Sequence, residues 1–265
     1  MSFSGSVKGD RLATMDKISV VINTYNAEKY LQQVLDSVKG FDEVLICDMQ
    51  STDCTLAIAK QNGCRIVSFP KGNNVSAEPA RTFAIQSAKN PWVLVVDADE
   101  LVTEALHLYL YNHIKKPHCA KGLYIPRLNQ FMSKTIRCAY PDYQLRFFVR
   151  DGTEWPPYVH TFPIVKGRLE FLPKNNKELA FIHLANDDIR TIIEKDNRYS
   201  DNDVQKKANK HYGTGALLFR PLWRFFKCYI LEGGWRDGIH GLIYAGFKGI
   251  YQFELVAKHI EQKKR

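Results

Sequence analysis

No uninterrupted run of about 20 apolar residues occurs in this chain, so no membrane-spanning helix is expected. The first residues lack the basic and apolar blocks of a signal peptide. Met1 to Thr14 is small, polar and without periodicity, and residues 1–14 read as a leader ahead of the folded part. Cysteine is sparse and unpaired in pattern. The six cysteines form no CxxC, and Cys47 and Cys228 lie in apolar segments. They read as reduced thiols of a cytoplasmic protein rather than a disulfide or zinc framework. There is no internal repeat or low-complexity tract. Acidic residues are in deficit, 28 Asp+Glu against 37 Lys+Arg, which leaves a net charge of +9 suited to phosphates, nucleic acid or an anionic membrane. What is present is enough for a core. The chain is 45% hydrophobic over 265 residues, room for one large or two small domains, and 12% aromatic, which excludes disorder.

The chain turns on Trp92-Val93-Leu94-Val95-Val96-Asp97-Ala98-Asp99-Glu100. The valine-rich run reads as a strand buried on both faces. Burying adjacent carboxylates unpaired costs several kcal/mol, so the acids belong at the strand's open end, where α/β sheets bind ligands. Two positions apart on a strand, Asp97 and Asp99 point the same way. Two hard carboxylates on one side suit Mg²⁺ or Mn²⁺. Taken alone, the motif is also an ordinary polar strand end with Glu100 near a helix dipole.

The order around it argues for the site. Strands are expected at Lys17–Asn23, Val44–Asp48, Cys64–Phe69 and from Val93, and helices at Ala27–Val38, Thr55–Gln61 and Ala80–Ala88, with Asn26 capping the first. Pro70–Pro79 is expected as a loop. Alternating strands and helices predict an α/β fold with a mostly parallel sheet and right-handed crossovers, opening Asn23-Thr24, Asp48, Asp97 and Asp99 on one edge. Beyond Glu100 the alternation fades: a helix at Glu104–Lys115, strands at Gly122–Leu128, Gln144–Val149 and Ala180–Leu184, and a polar helix at Asp188–Tyr199. The expected division is 15–215 for the catalytic domain, with halves 15–100 and 101–215, and 216–265 for a basic aromatic helical extension.

VVINTYNAEKYL, ICDMQSTDCT and PARTFAIQSAKNPWVLVVDADE together resemble the family 2 glycosyltransferases, which have the GT-A fold, and within them bacterial lipopolysaccharide-core glucosyltransferase-like proteins. The resemblance implies an inverting transfer of a sugar from a nucleotide-diphosphate donor such as a UDP-sugar to a glycan or lipid-linked acceptor of the cell envelope. It puts Asp48 on the nucleoside, Thr24 and Tyr25 in the base pocket, Asp97 near the ribose and Asp99 on the metal. The donor-binding set becomes Thr24, Tyr25, Asn26, Asp48, Ser51, Arg81, Asp97 and Arg146. Arg81 suits either the diphosphate or a salt bridge to Asp48. Many members carry a Glu-Asp pair whose Asp is the base. This chain departs from that with Tyr140-Pro141-Asp142, which leaves Asp142 as the candidate base and Asp151 and Glu154 as substitutes. Arg146, in Gln144-x-Arg146, is suited to phosphate or acceptor.

His160 and His183 each end an apolar or aromatic stretch; a lone His is commonly structural, and His160 is the stronger candidate third metal ligand beside Asp97 and Asp99. The segment from Leu217 to Leu231 mixes bulky apolar groups with Arg220, Arg224 and Lys227. Pro221 is expected in the first turn of a helix, and the segment suits an anionic membrane surface at the cytoplasmic face, packing on the domain, or an oligomer contact. Two other readings compete. VLVVDADELV resembles an Asp-x-Asp phosphatase motif, but that motif normally opens its domain. A basic nucleic-acid-binding protein fits the charge, yet no helix-turn-helix, zinc finger or RNP-type strand is visible, so no nucleic-acid partner is expected.

Overall fold

In the computed structural model of the chain, the described residues are 16–74, 76–158, 161–184, 189–206 and 212–264. They fall into two compact units, one drawn from the described residues of 16–127 and 141–183 and the other from those of 128–140 and 184–264.

The first unit is built on a seven-stranded sheet. Its strands are β1 (Ile18–Thr24), β2 (Glu43–Asp48), β3 (Arg65–Ser68), β4 (Trp92–Asp97), β6 (Gly122–Ile125), β9 (Gln144–Val149) and β10 (Leu169–Phe171); the two-residue β5 (Glu100–Leu101) lies outside it and pairs antiparallel with β11 (Phe181–His183). The order is β10-β6-β9-β4-β1-β2-β3. β1 pairs in parallel with both β2 and β4, β3 with β2 and β10 with β6, while β9 runs antiparallel to β4 and β6. The sheet is therefore mainly parallel, with one reversed strand that delivers Arg146.

Residues on the two faces of the central strands enter two cores. Ile18, Val20 and Ile22 of β1 and Trp92, Leu94 and Val96 of β4 pack with α1 (Glu28–Ser37) on one face. Val21, Val93 and Val95 pack with Ala80, Ala84 and Ile85 of α3 (Glu78–Ser87) and with Trp155 on the other. Each Val, Leu or Ile among them, taken from water, contributes roughly 1.5–3 kcal/mol. α2 (Thr55–Gln61) and, after β5, α4 (Glu104–Ile114) add Ala59, Leu106, Leu110 and Ile114 to the first core.

Three departures from the sequence reading fall at prolines. The strand expected over Gly122–Leu128 is split at Pro126, which has no N–H for a ladder; β7 (Arg127–Phe131) starts anew after it. Pro79 closes no loop but sits in the first turn of α3, where the missing N–H costs nothing. Pro221 lies inside its helix rather than in the first turn.

The second unit combines the end of β7 with β8 (Lys134–Thr135), α5 (Ile189–Lys206), α6 (Ala216–Phe226) and α7 (Ile239–Lys264). α6 runs into a π-helical turn at Lys227–Leu231, and Gly233, at φ 80°, starts the short 3-10 turn at Gly234–Asp237. Phe131, Ile136, Cys138, Ile192, Cys228 and Ala245 form its core. The Gly249 backbone lets α6 and α7 approach closely: a Cβ there would stand 3.1 Å from the Pro221 carbonyl oxygen.

Candidate active site

β1 lies between β2 and β4, so the crossover from β1 leaves on one side and the chain returns on the other. Crevices at such a reversal are where open α/β sheets take ligands. In register, Thr24 stands beside Asp48 and Asn23 beside Asp97. Four of the five expected positions, Asn23, Thr24, Asp48 and Asp97, thus meet at one carboxyl edge.

At the β1–β2 end the loops close on themselves. The Asp48 carboxylate is buried and accepts from Thr24 Oγ1 (3.0 Å), Ser51 N (2.9 Å) and Ser51 Oγ (2.6 Å). Ser51 Oγ in turn accepts from Asn26 N, and Asn26 Oδ1 from Thr52 N. Asn26 does not cap α1 as expected. It sits at φ 48°, a left-handed position Asn tolerates, and turns its amide to the neighbouring loop. Asp53 does the capping, with Oδ2 accepting from Glu28 N (3.1 Å) and Oδ1 from Thr55 N (3.0 Å). Glu28 returns the contact by accepting from Cys54 N, and Thr55 Oγ1 accepts from Ala27 N. Tyr25 is half exposed, with Lys71 Nζ 4.3 Å from its ring centre.

The β4 end is organised by arginines. Asp97 Oδ1 accepts from Arg81 Nη2 (2.8 Å) and Arg146 Nη1 (3.3 Å), and Arg146 Nη2 pairs with Oδ2. Arg81 is therefore partnered with Asp97, not with Asp48. Burial pushes the Asp97 carboxyl up, but Arg146 and Arg81 outweigh it and hold the group well below the usual carboxylate range. β4 ends at Asp97 and Asp99 lies in the turn beyond, so the strand alternation behind the two-residue spacing argument stops short of Asp99, and two guanidiniums take both Asp97 oxygens.

Glu100 is not a helix-dipole acid. Fully buried in β5, it accepts from Asp97 N (3.1 Å) and from Arg127 Nη1 (3.0 Å). Arg127 reaches on to Asp142 Oδ2 at 2.6 Å, while Gln144 donates to Asp142 Oδ1 at 2.9 Å. Trp155 lies under the arginines, its ring centre 4.4 Å from the Arg81 guanidinium carbon and 5.4 Å from that of Arg146. Reciprocal hydrogen bonds with Thr82, the residue after Arg81, hold the Trp155 backbone in place.

This end carries buried donors without a protein acceptor: Arg81 Nε and Nη1, Arg146 Nε and Trp155 Nε1, with both side-chain polar atoms of Asn23 beside them. Buried polar groups are normally satisfied, so such a cluster calls for a ligand or solvent.

Asp99 Oδ2 is 3.6 Å from His183 Nε2, and both side chains are partly buried. Among the described residues no group of three or more His, Cys, Asp or Glu is placed to hold a metal. A carboxylate and an imidazole nevertheless fit a divalent ion of the Mg²⁺ or Mn²⁺ kind, which commonly takes one or two protein ligands and completes its shell with substrate phosphate. His160, the preferred histidine from sequence, lies outside the described residues.

Sequence reasoning missed Glu100, Arg127 and Trp155 as parts of this site. Their signals were local: an acid directly after Asp-x-Asp, an arginine directly after a strand-breaking proline, and a tryptophan before Pro156-Pro157.

Three comparisons place the molecule. The model of Glycosyl transferase family 2 matches residues 19–166, more than half of the chain. An uncharacterized glycosyltransferase of Rickettsia felis is 26% identical over 92% of this chain and 89% of its own length. The lipopolysaccharide core biosynthesis glycosyltransferase LpsC of Rhizobium meliloti is 25% identical over 91% of each. In fold, the chain is similar to the mannosyltransferase PcManGT from Pyrobaculum calidifontis, solved with GDP-Man and Mn²⁺, at a TM-score of 0.55 and 13% identity over 93% of this chain and 88% of that one.

Proposed function

The chain belongs to glycosyl transferase family 2, and from that premise we propose that it is an inverting transferase moving a sugar from a nucleotide-diphosphate donor to a glycan or lipid-linked acceptor of the cell envelope. The cluster of unpartnered buried donors at the β4 end carries the reading. A diphosphate supplies the acceptors that Arg81, Arg146 and Trp155 lack, and guanidiniums recognise such oxyanions with paired bonds. Thr24, Tyr25, Asn26, Asp48 and Ser51 form the nucleoside side. There Asp48 acts chiefly by fixing the two loops, and the exposed Tyr25 ring offers a stacking face.

Asp99 and His183 would hold a divalent ion, which would supply positive charge against the negative charge growing on the departing diphosphate. Inversion by direct displacement needs a base opposite the leaving group. Asp142 takes this role, held in place by Arg127 and Gln144. The lipid-linked class of acceptor is supported by the name of the LpsC relative.

The test is a panel of nucleotide-sugars with Mn²⁺, scored by thermal shift and turnover. A ligand at about 100 times its Kd adds roughly 2.7 kcal/mol of stability. At least one nucleotide-sugar is expected to raise the Tm, and Asp99→Asn or His183→Asn to remove the Mn²⁺-dependent part of that rise. Asp142→Asn is expected to lower kcat about 10²–10⁴-fold at little cost in donor affinity. Hydrolysis of an aryl phosphate with no response to any nucleotide-sugar would replace this reading by the phosphatase one.

A further inference from the structure

The helical unit carries an inside-out amphipathic helix. Phe225, Cys228 and Tyr229 turn towards Ala245 and Tyr244 of α7. The cations of α6 are tied down at its flank: Arg220 Nη2 donates to Gln252 (2.7 Å) and stacks over Tyr212, and Arg224 Nη1 meets Glu232 at 3.3 Å. The opposite face is apolar and open. Leu218 is 71% exposed, Phe219 72%, Leu222 67% and Trp223 50%, with Phe226 following. Their spacing of three, four and seven residues makes one continuous stripe. Leu231, Trp235 and Ile239 extend the exposed apolar set along the chain through the turn.

Scattered exposed leucines need no explanation, but a contiguous stripe of this kind marks a partner surface. Its edge is cationic. Lys227 is half exposed, its Nζ 3.8 Å from the Glu232 carboxylate that also takes Arg224, and the exposed Arg236 lies over the Trp235 ring at 5.1 Å. Residues 216–265 hold nine Lys and Arg against four Asp and Glu. A second copy would bring the same positive charge to the stripe, whereas anionic lipid complements it. Tryptophan, bulky aliphatics and flanking cations together match the headgroup boundary of a bilayer. No helix among the described residues is long and apolar enough to cross a membrane.

We propose that Leu218, Phe219, Leu222, Trp223 and Phe226 insert into the headgroup–acyl boundary of an anionic bilayer, with Lys227 and Arg236 at the rim. The inference rests on the helical unit alone and is separate from the donor site. It differs from the sequence reading in one respect. Arg220 and Arg224 are held by protein partners, so apolar insertion leads and charge assists.

The experiment is co-sedimentation of the full chain with phosphatidylglycerol–phosphatidylcholine vesicles. The wild type is expected to bind, and brominated lipid is expected to quench its tryptophan emission. The double variant Phe219→Ser/Trp223→Ser, both positions exposed, is expected to keep its Tm and nucleotide-sugar response while losing vesicle affinity roughly 10-fold or more. Trp223→Phe is expected to retain binding. Lys227→Glu/Arg236→Glu should cost only a few-fold, and high salt alone should release only part of the protein. Equal vesicle binding by the serine variant would overturn insertion, leaving plain electrostatic adsorption. Absence of vesicle binding, with light scattering showing a dimer that the serine variant converts to monomer, would assign the stripe to a second copy of the chain. If the serine variant lost its Tm, the wild-type quenching by brominated lipid would decide, its absence overturning the proposal.

Discussion

The two ends of the sheet's carboxyl edge are built from similar residues and solve opposite problems. At the β1–β2 end every named acceptor meets a donor: Asp48 takes Thr24 and Ser51, Asn26 takes Thr52, and Asp53 takes Glu28 and Thr55. The result is a pair of loops locked to each other. At the β4 end donors outnumber acceptors, with Arg81, Arg127 and Arg146 around Asp97, Glu100 and Asp142 and four N–H-bearing atoms left over. One end is finished by the protein, and the other is completed by what it binds. Buried donors without an acceptor cost stability, so the surplus is a mark of function rather than of folding.

The widest break in the contrast comes from removing the acid that anchors the cationic end. Asp97→Asn leaves Arg81 and Arg146 facing a neutral amide, and about 3 kcal/mol of stability is expected to be lost, read by urea unfolding at pH 7. The pH dependence has a definite sign. Asp97 is held below its unfolded value of about 4, so its contribution is complete above that pH and fades as the pH falls through and below it. Wild-type stability should therefore fall more steeply than that of Asp97→Asn between about pH 5 and pH 3. Parallel curves would mean that Asp97 carries no special ion pairing.

A finer cut separates charge from geometry. Arg146→Lys keeps a cation beside Asp97 but gives up the fork and the spare Nε. Donor affinity is expected to weaken by about tenfold, roughly 1.4 kcal/mol. Titration calorimetry with the nucleotide-sugar found in the panel measures it. Unchanged affinity would return the surplus donors to solvent.

The smallest effect is expected at the closed end. Asp48→Asn replaces one acceptor by a donor and should cost about 1 kcal/mol of stability, with donor affinity falling alongside as the loops loosen. A loss of nucleotide affinity at constant Tm would instead place the carboxylate on the ligand itself.

Much of this edge was legible in the sequence. Apolar runs ending in Asn23-Thr24, Asp48 and Asp97 announce strand ends, and parallel pairing brings them together. The GT-A fold came with the family resemblance that those motifs carry. The roles within the edge were harder to read, because they depend on which side chains cross between elements. Asp-x-Asp spacing implies a shared face only while the strand continues, and β4 stops at Asp97. Asn26 has the chemistry of a helix cap, but its left-handed backbone turned it elsewhere and an acid 27 positions later took over. Arg127 and Trp155 arrive from distant segments, with no periodicity to connect them to Asp97. The helical unit shows the same limit: the amphipathic pattern of α6 was visible, but which face turned outward was settled by packing against α7.

The exchanged helix starts carry a consequence for how the chain assembles. Glu28 N is capped by Asp53 from the second loop, and Cys54 N by Glu28 from the first helix. Neither start is complete until the other loop has arrived, although some 25 residues of chain separate them. The first two βα units should therefore open and close as a single cooperative block. In native-state hydrogen exchange, the amides of Glu28 and Cys54 would lose protection together and with the same free energy, even though they belong to different helices.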